Sequence, residues 1–268
     1  MNSGSMWKTI GKLKKYLSHP LTKDHCIDDP ETTELRRRII REKSFLRDIY
    51  RDWYNFIASA IPPGNSPILE LGSGGGFLNE ITPNLITSDV LFCSGIKVVL
   101  DGQCLPFEAS SLRGIVMVNV LHHIPNIRLF LKEAARCTMP GGVVLAVEPW
   151  VTPWSRFIYA KFHHEPFEPN ALDWEIPKRG PLSGANGALP WILFKRDREQ
   201  FEAEFPEWNV REIQPFMPFR YLLSGGVSMR ALQPGWTTGI WRSFERILDP
   251  VMNNLGMFAR IVLQRAKG

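Results

Sequence analysis

No apolar stretch in this chain of 268 residues reaches the ~18 residues that a membrane-spanning helix needs. No CxxC pair is present either, since the four cysteines, Cys26, Cys93, Cys104 and Cys137, are scattered. That argues against a disulfide framework or a structural zinc site and sets a reduced, cytoplasmic compartment as the expectation. The opening residues, MNSGSMWKTIGKLKKYL, lack the continuous apolar core of a secretory signal. Nor is one charge in strong excess. Lys and Arg number 32 against 27 acids, and Lys8, Lys12, Lys14 and Lys15 fall in an N-terminal tail that carries no acid. The remainder is nearly neutral, which argues against the broad basic face of a nucleic-acid enzyme, so no nucleic-acid partner is expected. What is present, 44% hydrophobic and 22% charged residues, is globular in proportion.

Along the chain, Met6, Ile10, Leu13 and Leu17 share one helical face, with the lysines mostly elsewhere. Such a segment suits an interfacial helix, so residues 6–17 are a candidate for peripheral contact with an anionic membrane; packing on the domain is the equal alternative. Asp28-Asp29-Pro30 opens a second helical region that runs at roughly helical spacing to Ala60 and stops at Pro62-Pro63-Gly64. Apolar runs then predict strands at 68–71, 85–88, 98–100, 115–118 and 143–147, with a helix over 126–138. Strand, helix, strand in that order implies a parallel sheet. Residues 149–196 are rich in proline and aromatics and have no clean period, which suits an ordered insertion. A helix at 197–205, strands at 210–214 and 257–263, and a helix at 241–248 complete the expectation.

The segment Glu70-Leu71-Gly72-Ser73-Gly74-Gly75-Gly76-Phe77 carries the most chemical information. Glycines between a strand and an expected helix permit a sharp turn and close approach of a ligand to the main chain. No lysine follows as a P-loop requires, and Phe77 stands where the dinucleotide fingerprint needs glycine. Asp89, 19 residues beyond Glu70, ends an apolar run at the spacing of a ribose-holding carboxylate. Asp101 ends another run, where a carboxylate can accept from an adenine amino group. Taken singly each aspartate is equally a turn or cap residue; together with the loop they favour a nucleoside cofactor.

The pieces ILELGSGGG (68–76), ITSDV (86–90), VLDGQCLPF (99–107), IVMVNVLHHI (115–124), FLKEAARCTMPGG (130–142) and VVLAVEP (143–149) resemble, in this order, the class I S-adenosylmethionine-dependent methyltransferases of the type 11 branch. The resemblance implies a three-layer Rossmann-like α/β sheet, with an N-terminal helical extension (1–60), a methyltransferase domain (61–268) and a long insertion after the fifth strand (150–196). It implies S-adenosyl-L-methionine as cofactor. Gly72, Ser73, Gly74 and Gly76 would line its methionine part, Glu70 would reach the amino end, Asp89 the ribose, Asp101 and Gly102 the adenine, and Asn119 would close over it. Arg113-Gly114 stands where the family often has an acid, and the stretch from Asp89 to Asp101 is too short for a crossover helix, so a loop must wall the adenine.

Methyl transfer needs alignment, and a base only when the acceptor must lose a proton. Candidate bases are His163 and His164 in the insertion and Glu148 at the end of the fifth strand, with His122, His123 and Glu165 also near the cleft. A metal shared by the consecutive His163, His164 and Glu165 is not expected, because neighbouring side chains diverge, and nothing else in the sequence resembles a metal set, so no metal is expected. The segments HHEPF (163–167) and LLSGG (222–226) resemble methyltransferases encoded beside glycosyltransferases, so the acceptor is expected to be a small molecule or a glycan- or lipid-linked compound. Two alternatives keep the fold: an aminopropyl transferase, disfavoured because Asn119–His123 offers no acid to hold an amine, and a non-catalytic, membrane-associated scaffold.

Overall fold

In a computed structural model, residues 19–21, 26, 28–163, 165–177, 180 and 182–267 are described. The 6–17 segment and His164 lie outside them. Two helices come first, α1 (Pro30–Glu42) and α2 (Ser44–Ala60). The strands are β1 (Ile68–Leu71), β2 (Leu85–Asp89), β3 (Val98–Val99), β4 (Leu112–Val118), β5 (Thr138–Pro149), β6 (Trp208–Phe216) and β7 (Phe258–Arg265). They form one sheet in the order β3-β2-β1-β4-β5-β7-β6. The first five are parallel, and β7 inserts antiparallel between β5 and β6. β1 is buried at every position and β4 at nearly every one, which is why both read as unbroken apolar runs and not as alternation.

The helical layers depart from the expected pattern. A single crossover helix, α3 (Ile127–Cys137), joins β4 to β5, with Asn126 accepting from the Leu129 N–H as its cap. The glycine loop leads only to a short 3₁₀ turn, Leu78–Glu80, and not to the expected helix. A loop alone joins β2 to β3. The face left bare is covered by α1 and α2, whose Ile39, Ile40, Leu46 and Ile57 pack with Ile68, Leu85, Val116 and Leu145. The N-terminal helices at residues 30–60 thus pack as a layer against the sheet. Their continuous helical spacing is also interrupted at Lys43, whose extended backbone (ψ 95°) lets its ammonium donate to the carbonyls of Gly226 (2.6 Å) and Met229 (2.8 Å).

The insertion divides in two. It begins with α4 (Pro153–Phe162), started by Pro153 and by a reciprocal cap between Thr152 and Ser155. Farther on, Trp174, Ile176, Leu189, Ile192 and Phe194 enter the main core on the α3 side, beside α5 (Arg198–Glu204). Helix α6 (Thr238–Ile247) starts three residues earlier than expected. No described helix is long and apolar enough to cross a membrane.

Candidate functional site

A cavity of about 640 Å³ opens at the carboxyl ends of β1, β2 and β4, where ligands sit in open parallel sheets. Glu70, Gly72, Ser73, Gly74, Gly76, Asp89, Asp101, Gly102 and Asn119 all line it, so the structure brings the whole expected cofactor set together. Gly72 adopts φ +62°, and a Cβ there would lie 2.3 Å from Val120 Cγ2, so no larger residue fits. A Cβ on Gly75 would meet the Arg37 backbone nitrogen at 2.7 Å. The loop is thus seated against α1, where Arg37 also donates to the Gly74 carbonyl (2.8 Å).

Glu70 is buried and accepts from the Ser73 hydroxyl (2.7 Å), which in turn takes the Ser88 N–H (3.1 Å). Burial pushes its carboxyl up to about 7; the Ser73 hydroxyl opposes that and the Asp89 carboxylate adds to it. Asp89 accepts from the N–H groups of Gly74 (3.0 Å) and Leu91 (3.0 Å), and burial raises its pKa despite them. Asp101 is exposed and held by Gln103 through its backbone N–H (2.9 Å) and its side-chain amide. Asn119 takes φ +56°, a left-handed turn that asparagine tolerates, immediately after β4. The loop between Asp89 and Asp101 is braced by α1: Glu34 accepts from the Ser94 N–H (2.8 Å), and Arg37 donates to the Ser94 carbonyl.

Beyond this set the cavity continues into a chamber lined by Tyr50, Tyr54, Tyr159, Tyr221, Phe258, His122, His123, His163 and Glu165. The tyrosines come from α2, α4 and a short helix after β6, Arg220–Ser224. Nothing local in their sequence marks them as lining one cavity. His163 lies at the chamber wall as expected, its Nδ1 accepting from the Glu165 N–H (3.2 Å).

Glu148, a candidate base from its place at the end of β5, does not line the cavity. It is 0% exposed. One carboxylate oxygen accepts from the Val120 and Leu121 N–H groups (both 2.8 Å), and the other sits 2.6 Å from His122 Nδ1. With both oxygens committed and no opening to the cavity, it anchors the turn after β4. Burial alone would lower the pKa of His122, but the carboxylates of Glu148 and Glu165 outweigh it and raise it to about 9. His123 goes the other way, to about 4, through burial and its charged neighbour His122. Glu165 is held well below the carboxylate range by the histidines around it, although burial opposes this. The grouping of His122, His123 and Glu165 was not legible in sequence, since some 40 residues of chain separate them.

A family model described as a methyltransferase domain, of the type 11 group, matches residues 80–146, a span that begins just after the glycine loop. No curated protein sequence matches the chain. The solved geranyl diphosphate C-methyltransferase from Streptomyces coelicolor A3(2), in complex with Mg²⁺, geranyl diphosphate and S-adenosyl-L-homocysteine, is similar at a TM-score of 0.50 and 12% identity, over 99% of this chain and 100% of that one. A chain of the complex between the Haloferax volcanii Trm112 methyltransferase activator and a methyltransferase is similar at a TM-score of 0.50 and 11% identity, over 91% of this chain and 100% of that one. The fold is therefore that of the class I S-adenosylmethionine-dependent methyltransferases, as the motifs implied, and residues 80–146 match a methyltransferase domain.

Proposed function

We propose that this protein transfers a methyl group from S-adenosyl-L-methionine to a small-molecule or glycan- or lipid-linked acceptor held in the tyrosine- and histidine-lined chamber. The observation that carries this reading is the continuity of one cavity, from the glycine loop with Asp89 and Asp101 to Tyr159, His163 and Tyr221. Such a cavity lets a cofactor bound at the loop present its methyl group to the chamber, where alignment and exclusion of water do most of the catalytic work. Phe258 and the tyrosines supply apolar walls for the acceptor, and His163 is an imidazole placed to take a proton from it.

Calorimetry tests the cofactor part. S-Adenosylhomocysteine is expected to bind in the micromolar range, about −8 kcal/mol. Asp89→Ala should weaken binding by about 1.5–3 kcal/mol through loss of charged hydrogen bonds to the ribose. Glu70 gives the titration a pH signature. Its ionised form attracts the ligand's ammonium, so affinity should rise as pH increases through about 7. A flat pH profile together with an unaffected Asp89→Ala variant would remove both assignments.

A second reading, peripheral membrane association, is favoured by one surface feature. Trp236, Ile240, Phe244 and Ile247 form an exposed apolar stripe along α6. The charged residues beside it are Arg242 and Arg246, whereas Glu245 is buried against Arg220. Vesicles containing anionic lipid should co-float the wild type and lose an Ile240→Asp/Phe244→Asp variant; equal recovery of the two rejects a lipid-facing α6.

A further inference from the structure

His122 and His123 are adjacent, yet both imidazoles face one side, with ring centroids 4.2 Å apart. Each has its Nδ1 occupied by an oxygen acceptor. His122 Nδ1 lies 2.6 Å from Glu148 Oε2, and His123 Nδ1 lies 3.0 Å from the Gly184 carbonyl. These contacts fix both rings with Nδ1 as the donor and turn both Nε2 atoms toward Glu165. His122 Nε2 is 3.5 Å from one Glu165 oxygen and His123 Nε2 is 3.9 Å from the other. The three candidate ligand atoms lie within 4.8 Å of one another, and all three residues line the cavity.

We infer that His122 Nε2, His123 Nε2 and the Glu165 carboxylate form a binding site for a divalent transition cation, with open coordination positions that face the acceptor chamber.

Three observations support this. The donor set, two imidazoles and one carboxylate with room for further ligands, is one that zinc and its neighbours in the first transition row take. The outer contacts are those of metal-bound histidines, which hand their second ring N–H to a carboxylate or a backbone carbonyl. The spacing is also close to what is needed. Ligand atoms about 2.1 Å from a common centre are roughly 3–4 Å apart. The longest separation, within 4.8 Å, must close by roughly 1–2 Å. Glu165 lies 3.5 and 3.9 Å from the two Nε2 atoms, on the stretch between α4 and the core-packed half of the insertion and not inside a helix or strand, so its carboxylate can move toward them. The sequence implies no metal set, and consecutive His163, His164 and Glu165 cannot share an ion, but the fold gives Glu165 a different pair of histidines.

The ligand class follows, and here the inference rests on the methyl-transfer reading. The acceptor's reacting oxygen, a hydroxyl or enol, would occupy an open position on the cation. Coordination lowers its pKa, so its proton passes to the His163 imidazole on the same cavity wall. The oxygen then attacks the sulfonium methyl; a C–O bond forms as the C–S bond breaks, and the neutral thioether S-adenosylhomocysteine is released.

The test uses tag-free full chain stripped by a chelator, with Zn²⁺ and Co²⁺ alone as probes. Calorimetry should give one Zn²⁺ per chain with a micromolar or tighter Kd, and Co²⁺ should develop the visible absorption of a nitrogen- and oxygen-ligated ion. Glu165→Gln and His123→Gln should each weaken Zn²⁺ binding by at least 10–100-fold. Their S-adenosylhomocysteine affinity and melting temperature report folding separately. If a variant does not fold, crystals of the wild type soaked in zinc decide: an anomalous peak about 2.1 Å from His122 Nε2, His123 Nε2 and Glu165 supports the site. No stoichiometric binding, unchanged affinity in folded variants, or a peak elsewhere overturns it. S-Adenosylhomocysteine binding to the metal-free protein tests the methyltransferase reading independently, so failure of either can be told from failure of the other.

Discussion

Glu148→Leu is expected to destabilise the protein by about 3–5 kcal/mol, the usual cost of removing one partner from a buried charged pair. The leucine would leave the N–H groups of Val120 and Leu121 and the imidazole of His122 without their acceptor. For a chain of this size that corresponds to a drop in Tm of roughly 10 °C. A pH signature accompanies it. The folded pKa of His122 is raised from 6.5 to about 9, so the stability it contributes is complete below pH 6.5 and is lost as pH rises through about 9. The variant lacks the main carboxylate partner and should lose this slope. Cofactor affinity should fall as well, because Gly72 is packed against Val120. If Glu148→Leu instead melts like the wild type and loses only turnover, the carboxylate is the base after all.

The second large effect is expected at Trp53 of α2. It is 0% exposed and packs between Tyr221 and Phe258, with ring centroids 5.8 and 5.3 Å away. Trp53→Ala should cost about 3–5 kcal/mol by loss of apolar contact and by leaving a cavity. Trp53→Phe should cost less than half of that. The indole Nε1–H is buried and finds no acceptor among the described residues. Removing it therefore relieves an unmet hydrogen bond worth about 1–3 kcal/mol, which offsets part of the lost volume. Denaturant melts of the two variants make the comparison, and equal losses would show that the unpaired N–H carries no penalty.

The legible parts of the fold were those whose neighbours lie close in sequence. Strands β1, β4, β5 and β7 showed as apolar runs because both faces of each are covered, and α3 showed through the spacing of Ile127, Phe130, Leu131 and Ala134. The glycine loop with Asp89 located the cofactor side for the same reason. What stayed hidden depends on long-range packing. Lys43 breaks the helical run because of carbonyls near residue 226. The 3₁₀ turn after the loop needs no helix because α1 already stands against Gly75. Helix α4 had a readable start in Thr152-Pro153 with Ser155, a capping signal masked by the prolines around it. The bonding of Glu148 stayed hidden because position at a strand end says nothing about which groups a carboxylate already holds.

The partnership of α1 and α2 with the far end of the chain bears on how the protein is made. Ile39 and Ile57 share a core with Val262 of β7, and Trp53 shares one with Phe258. Asp52 pairs with Arg220 (2.6 Å), which also holds Glu245. During synthesis the two helices emerge roughly 200 residues before these partners, an interval on the order of 10–40 s at ordinary elongation rates. Their apolar faces are only partly covered through that time, by the strands up to β5, which leaves a window in which a ribosome-associated chaperone has a natural client. The cavity itself is a product of closure: Thr33, Tyr50 and Tyr54 from the beginning of the chain meet Tyr221 and Phe258 from its end around one ligand-sized space. A nascent chain released before β7 has therefore made most of its sheet and none of its complete pocket.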